Sequence, residues 1–284
     1  MEKESGMKPE KIKIIYPDEL RDLMSRLREK DYVLLDVRLA REYEHEHIPG
    51  ARLIPLHEFE GRLGEIEPGK KLIFYCSSGK RSMAAATLAR DSGLFSNEMF
   101  NLEGGINAYA GKILEDYPRT DLFEQAKDIQ SVLERAIALE KGAYRFYLGM
   151  LERIEDENIK KQVKRLADLE VAHARVLYQQ GKEMFDRDFG SVFKEADQSK
   201  VEGGLNIDAW FQRADAADQE DACTFFLELA LEMEYMAYDM YRNLAEEDFP
   251  GETIDCFFRL SEQEKSHMRV IANLFRDCSS VINT

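Results

Sequence analysis

Two short stretches of the chain end in the same pair of potential metal ligands, a glutamate followed three residues later by a histidine. Residues 166–173 read LADLEVAH, and residues 260–267 read LSEQEKSH. Positions i and i+3 lie on one face of a helix, so each pair can direct its carboxylate and its imidazole into the same space. Because the chain has only five histidines, two copies of this pattern favour a metal site over two solvated helix faces.

The two copies belong to an internal repeat. Residues 134–178 align without gaps on residues 228–272, and more than a quarter of the aligned positions are identical. The alignment also pairs Glu140 with Glu234, and each of these falls on the apolar side of its predicted helix. An unpaired carboxylate is costly to bury there, whereas two divalent cations would balance the charge of four carboxylates. The repeat therefore predicts a duplicated helical hairpin that encloses metal.

The predicted ligand set takes one Glu and one Glu-x-x-His from each half of the repeat. Its members are Glu140, Glu170, His173, Glu234, Glu264 and His267. Such a set is typical of a di-iron or di-manganese carboxylate site, and both metals accept these donors. Tyr147 and Tyr241, which the repeat also pairs, either pack in the core or donate hydrogen bonds to ligand carboxylates.

A second candidate for chemistry is Cys76, which ends the apolar run KLIFYC. The loop Ser77-Ser78-Gly79-Lys80-Arg81-Ser82 follows it and leads into a predicted helix. Backbone N–H groups converge at such a strand-to-helix junction, and nearby basic side chains favour the thiolate, the nucleophilic form of cysteine. The alternative, a buried cysteine that only packs, would not require a loop of this composition.

These residues lie on two different kinds of structure. Up to about residue 115, short β-rich runs alternate with helical ones, which predicts a mainly parallel sheet with flanking helices. KIKIIY and YVLLDV read as continuous strands buried on both faces. Beyond Pro118 the pattern is almost entirely helical, with a long polar connection over residues 186–206. We therefore expect an α/β domain over residues 1–118 and an all-α four-helix bundle over residues 119–284.

Composition limits the possible partners and the cellular location of the protein. The formal net charge of −16 lies mostly in the helical half and argues against nucleic acid as a partner. We expect a cytoplasmic protein with no membrane partner, because the N-terminus lacks an apolar signal segment and no run reaches membrane-spanning length.

No C-x-x-C pair occurs among Cys76, Cys223, Cys256 and Cys278, so a zinc-ribbon or rubredoxin-type iron site is not encoded. Except for Cys76, we expect each cysteine to be a reduced, buried small residue.

The first half resembles a single-domain rhodanese over nearly its whole length. The matching segments, in the family's order, are LLDVR (34–38), EY (42–43), HIPGARLIP (47–55), CSSGKRS (76–82) and NLEGGINAY (101–109). Glu46 departs from the family, which usually has glycine there. The resemblance implies sulfur transfer, in which Cys76 carries a persulfide and the backbone amides of residues 77–81 surround it.

The same resemblance implies further roles in the loop. Arg81 would be catalytic by orienting the donor or the loop. Asp36 and Arg38 would either be structural or support the residues that act on the substrate. The residues implied in substrate binding are Ser77, Ser78, Gly79, Lys80 and Ser82. Phosphatases that share the fold have one more residue between cysteine and arginine, so the four residues between Cys76 and Arg81 favour sulfur over phosphate.

Residues 124–277 resemble rubrerythrin and its ferritin-like relatives. The matching segments are AIALEKGAYRFY, RLADLEVAH, LALEMEYMAYDMY and RLSEQEKSH. The resemblance implies two iron ions bridged by Glu170 and Glu264, with Glu140 and Glu234 as terminal ligands and the two histidines completing the set. It also implies a homodimer through the bundle. Ala237 stands where rubrerythrin has an extra glutamate, and the rubredoxin tail is absent, so the electron donor would be external.

The sequence thus predicts a sulfurtransferase fused to a di-iron carboxylate domain that handles peroxide, oxygen or iron. Its partners would be a sulfane-sulfur donor, a thiol or cyanide acceptor and an external reductant, with two irons and no organic cofactor. The alternative is a non-enzymatic protein that binds or senses iron through the bundle and uses its first domain for docking.

Overall fold

The computed structural model describes residues 11–126, 128–215 and 222–281. It excludes the side chains of residues 202, 213–215, 222 and 276–281. The chain divides into two compact units, the first ending at Tyr117 and the second beginning at Pro118. The first is α/β and the second is helical, which confirms the predicted fold classes.

The first unit is built on a five-stranded parallel sheet. Its strands are β1 (Lys13–Ile15), β2 (Tyr32–Asp36), β3 (Ala51–Leu53), β4 (Lys71–Tyr75) and β5 (Met99–Leu102), in the spatial order β1-β5-β4-β2-β3. Three helices accompany it, α1 (Pro17–Arg26), α2 (Ala40–His45) and α3 (Lys80–Asp91). The central strand β4 pairs with β2 and β5 in parallel, so the carboxyl ends of these strands meet at one edge of the sheet, where the Cys76 loop begins.

One strand differs from its sequence-based description. All five residues of β2 are buried, as its continuous apolar run predicts. β1 lies at the edge of the sheet, however, and Lys13 and Ile14 are exposed. An apolar run alone does not distinguish a central strand from an edge strand, because both need β-forming residues while only the central one is covered on both faces.

The second unit consists of four long helices with a crossover between the second and the third. These are α4 (Ile129–Leu151) and α5 (Glu157–Gln180), then α8 (Ala222–Leu244) and α9 (Gly251–Val281). The polar crossover was predicted only as a long connection. It holds the short helix α6 (Phe189–Glu195), and α7 (Ile207–Asp215) follows it. Asp188 caps α6 by accepting a hydrogen bond from the Ser191 N–H, which shows how a polar stretch can begin a short helix.

The crossover packs closely against the first hairpin. At Gly142, in the middle of α4, a β-carbon would collide with the backbone carbonyl of Lys200. Val201, the next residue, is fully buried. The absence of a side chain at Gly142 therefore lets the returning chain lie directly on the helix that carries Glu140.

The cysteines only partly match expectation. Cys76 and Cys256 are free and buried, whereas Cys223 takes part in a disulfide. This corrects the expectation of a reduced thiol at Cys223, since neither apolar surroundings nor the lack of a C-x-x-C pair excludes a partner distant in sequence. The side chain of Cys278 lies outside the described residues. Among the helices that the structure describes, none has the length and apolarity needed to span a membrane.

Candidate functional sites: a thiol loop and a buried carboxylate cluster

The Cys76 loop connects β4 to α3 and directs hydrogen-bond donors at the sulfur. Gly79 has a left-handed backbone with φ of 88°, a conformation that glycine adopts at little cost. This turn lets the Gly79 N–H donate to Cys76 Sγ at 3.2 Å. The buried Ser82 hydroxyl, in the first turn of α3, donates to the same sulfur at 3.5 Å.

These hydrogen-bond donors influence how readily the Cys76 thiol loses its proton. Burial by itself would raise the pKa of the Cys76 thiol, because it disfavours the charged thiolate. The Ser82 hydroxyl and the backbone N–H groups of Ser82, Ser78 and Gly79 outweigh that effect, so the pKa lies below its usual value. Cys76 is therefore a buried cysteine whose surroundings favour a nucleophilic thiolate.

Arg81 is held by a residue to which the sequence assigned no role. Its two terminal nitrogens donate to the Glu42 carboxylate at 2.8 and 2.7 Å, and one of them also donates to Ser77 Oγ at 2.8 Å. The Ser77 hydroxyl in turn donates to Glu42 at 3.0 Å. The structure thus fixes Arg81 to the rim of the loop through Glu42. The EY segment of the rhodanese pattern contained this residue, but only the fold brings it next to the loop.

Two residues of the NLEGG segment support the loop from the neighbouring strand. Asn101, at 2% exposure on β5, donates its amide to the Gly79 carbonyl at 3.1 Å. Gly105 lies so close that a β-carbon would collide with the carbonyl of Cys76. The Ile106 N–H then donates to that carbonyl at 2.8 Å. The conformation of the loop therefore depends on β5 and the turn that follows it.

Four further residues named from the sequence are either exposed on the loop or buried at the end of β2 and just after it. Ser78 and Lys80 are exposed at the mouth of the loop. Asp36 and Arg38 form a buried ion pair with a closest N–O distance of 2.7 Å. Arg38 also donates to the carbonyl of Glu46 at 2.6 Å. This pair fixes the segment after β2, in agreement with the structural role that the resemblance implies.

All six predicted metal ligands lie together inside the second unit. Glu140 comes from α4, Glu170 and His173 from α5, Glu234 from α8, and Glu264 and His267 from α9. None is more than 2% exposed. They form three overlapping groups whose ligand atoms lie within 4.8 Å of one another, and together the groups contain all six residues. The i,i+3 spacing within α5 and α9 and the face-to-face packing of the two hairpins produce this convergence.

The distances within the cluster follow the symmetry of the repeat. His173 Nδ1 lies 3.4 Å from Glu140 and 3.2 Å from Glu170. His267 Nδ1 lies 3.1 Å from Glu234 and 3.2 Å from Glu264. The two imidazole rings stack with centroids 5.0 Å apart. Each half thus presents the same three donors, with Glu170 also within 3.3 Å of His267.

Two tyrosines connect the halves across the cluster. Tyr147 on α4 donates its hydroxyl to Glu234 on α8. Tyr241 on α8 donates its hydroxyl to Glu140 on α4 at 2.8 Å. Both tyrosines are fully buried. Each glutamate that faces only one histidine is thus oriented by a tyrosine of the opposite hairpin.

The polar atoms of the cluster fit a metal centre better than an ordinary buried network. Both carboxylate oxygens of Glu170 and of Glu264 accept no hydrogen bond from the described residues, and neither does Oε2 of Glu140. Buried carboxylate oxygens in this state carry a large desolvation penalty. Carboxylate and imidazole donors suit divalent iron or manganese. Cations at the cluster would satisfy these oxygens.

When no cation is near, burial raises the pKa values of two glutamates of the cluster. Burial raises the pKa of Glu170 to about 7, although nearby His267 and His173 act to lower it. Burial also raises the pKa of Glu264 well above its usual value, and the charge of Glu234 adds to this effect. Glutamates that favour protonation when no cation is near must release protons when metal binds, so metal binding there depends on pH.

Two family profiles match the chain, one for each unit. Residues 17–112 match the family described as Rhodanese-like domain. Residues 120–204 match the family described as Rubrerythrin. The order of the two matches agrees with the resemblances found in the sequence. The second match covers α4, α5 and the crossover up to residue 204, and it ends before α8 and α9.

Individual relatives match parts of the chain. It is 42% identical over 80 residues to the uncharacterized protein YqhL of Bacillus subtilis (strain 168), covering 28% of this chain and 62% of that protein. It is 35% identical over 81 residues to a protein of Allochromatium vinosum named sulfurtransferase, covering 28% and 74%. It is 32% identical over 100 residues to the tRNA uridine(34) hydroxylase of Enterobacter sp. (strain 638), covering 33% and 28%. The chain thus spans less than two thirds of the length of YqhL.

The hydrogen bonds at Cys76 predict a measurable shift in its reactivity. The alkylation rate of Cys76 with iodoacetamide should reach half its maximum below the pH of about 8.5 typical of free cysteine. Ser82→Ala should move that midpoint to higher pH, because it removes the hydroxyl that stabilises the thiolate. Ser92→Ala is the control, since Ser92 lies at the other end of α3 and donates to Ala89. Cys256, whose pKa burial raises to about 11, should stay unlabelled. An unchanged profile in Ser82→Ala would contradict the assignment.

Proposed function

The chain belongs to the rhodanese-like family through its first unit and carries a rubrerythrin domain in its second, and from this we propose that it is a sulfurtransferase joined to a di-iron carboxylate protein. The first unit carries a persulfide on Cys76. The second holds two irons between its hairpins and reacts with oxygen or peroxide. The observation that carries the sulfur assignment is the convergence of N–H and hydroxyl donors on Cys76 Sγ.

The sulfur reaction needs no cofactor. The Cys76 thiolate attacks the sulfane sulfur of a donor, the donor's sulfur–sulfur bond breaks, and the leaving group departs with the electron pair of that bond. An acceptor thiolate or cyanide then attacks the outer sulfur of the persulfide, and Cys76 leaves as the thiolate. In both steps the donors around Sγ stabilise negative charge on sulfur, because they are already oriented toward it before the reaction starts.

The structure also supports sulfur over phosphate as the group transferred. A phosphate would need an arginine turned inward to bind its oxygens. Here Arg81 is bound by Glu42 at the rim, and only four residues separate it from Cys76. The backbone N–H groups of this short loop converge on one buried sulfur, that of Cys76.

For the second unit, the supporting observation is the group of unsatisfied buried carboxylate oxygens. Four glutamates and two histidines would hold the irons: Glu140, Glu170, His173, Glu234, Glu264 and His267. Two bound irons supply one-electron redox chemistry toward oxygen or peroxide. The protein's own part is to exclude bulk water from the cluster and to fix Glu140 and Glu234 through Tyr241 and Tyr147.

The partners follow from these two reactions. The first unit needs a sulfane-sulfur donor and a thiol or cyanide acceptor. The second needs an external electron donor, because the sequence has no C-x-x-C pair for a rubredoxin-type iron site. We also propose that the protein forms a homodimer through the helical bundle.

Loss of the thiol should abolish sulfur transfer. Cys76→Ser should lower thiocyanate formation from thiosulfate and cyanide to background, because a serine hydroxyl cannot form a persulfide. Incubation with donor alone should add the mass of one sulfur atom to the wild type and none to Cys76→Ser. Cys256→Ser, which removes another buried free thiol, is the control and should retain the activity. Sulfur transfer that survives Cys76→Ser would refute the assignment.

Substitution of the Glu170 carboxylate should prevent metal binding while the protein still folds. The wild type should bind about two irons per chain, and Glu170→Gln fewer than one, by elemental analysis. The metal-free variant should unfold at the same temperature as the metal-free wild type or higher, because it no longer buries an unpaired carboxylate. Iron should raise the midpoint of the wild type only.

Glu157→Gln is the matched control, since Glu157 begins the same helix, α5, and its side chain is exposed. It should bind iron like the wild type. If Glu170→Gln instead unfolds at a lower temperature than the wild type whether or not metal is present, the residue has a structural role and the metal proposal fails.

A further inference from the structure

An ion pair with Glu42 neutralises Arg81 at the Cys76 loop. Each Glu42 oxygen accepts two hydrogen bonds, one from Arg81 and one from another donor. Oε1 accepts from Arg81 at 2.7 Å and from the Ser77 hydroxyl at 3.0 Å. Oε2 accepts from Arg81 at 2.8 Å and from the Leu39 N–H at 3.1 Å. The Arg81 guanidinium therefore binds the Glu42 carboxylate in a bidentate geometry.

The surroundings of the pair favour the charged form of both side chains. The hydrogen bond from Arg81 lowers the pKa of Glu42 to about 2, with smaller contributions from Leu39 and Ser77. Arg81 also lies near Cys76, because it donates to the hydroxyl of Ser77, the next residue along the chain. Glu42 is the main cause that raises the pKa of the Arg81 guanidinium, and a charge on the Cys76 sulfur adds to it. The charges of Arg81 and Glu42 therefore sum to zero close to the reacting sulfur, which leaves the exposed Lys80 as the cation of the loop.

We propose that Glu42 sets the charge of the sulfur donor: by neutralising Arg81 it makes the site favour donors with one negative charge or none, such as thiol persulfides, over dianionic thiosulfate. This inference rests on the proposed sulfurtransferase function. If Arg81 bound the donor directly, a dianion would gain most from it. With Glu42 in place, the pair offers a dianion no net attraction, and the loop selects its donor through the amides around Cys76.

The expected size of the effect is modest because the pair is partly exposed. The side chains of Arg81 and Glu42 keep 37% and 27% of their exposure, so water and salt screen their charges. A change of one unit of charge near a donor should alter the relative rate of a dianion against a monoanion by about tenfold. High salt should reduce that factor.

Two sulfur donors that react by the same step but carry different charges test this inference. Thiosulfate is a dianion and methanethiosulfonate is a monoanion. The same step occurs with both: Cys76 attacks the terminal sulfur, the sulfur–sulfur bond breaks, and sulfite or methanesulfinate leaves with the electron pair. Cyanide then accepts the sulfur from Cys76. The readout is the ratio of kcat/KM for thiosulfate to kcat/KM for methanethiosulfonate, measured on the full chain.

Three variants change the charge of the pair in steps. Arg81→Gln leaves a net charge of −1, the Glu42→Gln, Arg81→Gln double variant leaves zero, and Glu42→Gln leaves +1. The ratio should fall about tenfold in Arg81→Gln, rise about tenfold in Glu42→Gln, and return to within about threefold of the wild type in the double variant. Should Glu42→Gln not fold, Arg81→Gln and the double variant still test the inference.

Two results would overturn the inference. If the double variant has as low a ratio as Arg81→Gln, Arg81 binds the donor itself. If the ratio stays within about twofold of the wild type in all variants, the charge of the pair does not select the donor. In both cases sulfur transfer by Cys76 stands. If the wild type takes up no sulfur from either donor, the proposed function itself fails, and the inference fails with it.

Discussion

The second unit is organised by one constraint, the burial of four carboxylates and two imidazoles in the core of a helical bundle. Packed apolar side chains surround this cluster on all four helices, and several of its oxygens accept no hydrogen bond from the described residues. Anions in a medium of low polarity are stable only when opposite charge or donors compensate for lost water. Cations between the hairpins would satisfy that requirement. The long helices can present the ligands, because residues at positions i and i+3 lie on the same helix face.

The first unit solves a related problem at a smaller scale. Here the group is the Cys76 thiol. Backbone N–H groups and the Ser82 hydroxyl, instead of metal, stabilise its thiolate form and lower its pKa. The loop can offer these donors because Asn101 and Gly105 hold its backbone from the neighbouring strand. Glu42 meanwhile binds the Arg81 guanidinium through two hydrogen bonds. In both units the chemistry depends on how negative charge is stabilised inside the protein.

Much of this was predictable from the sequence, but for different reasons in each unit. The six carboxylate and imidazole residues could be predicted because a repeat places them in register, as Glu140 and Glu234 illustrate. The Glu42–Arg81 contact could not, since it joins residues 39 positions apart through a sheet. Likewise, the residues of the run KIKIIY do not distinguish an edge strand from a central strand. Local spacing reports a helix face well, whereas contacts across a parallel sheet depend on strand order.

The central claim is that the buried carboxylates exist to bind a pair of cations. Anomalous diffraction at the iron absorption edge, from crystals of the full chain grown with ferrous iron, tests it most directly. The account predicts two strong peaks inside the second unit, both in contact with Glu170 and Glu264 and each next to one of the two histidines. Crystals that show no peak among these side chains, while iron binds elsewhere on the protein, would contradict it.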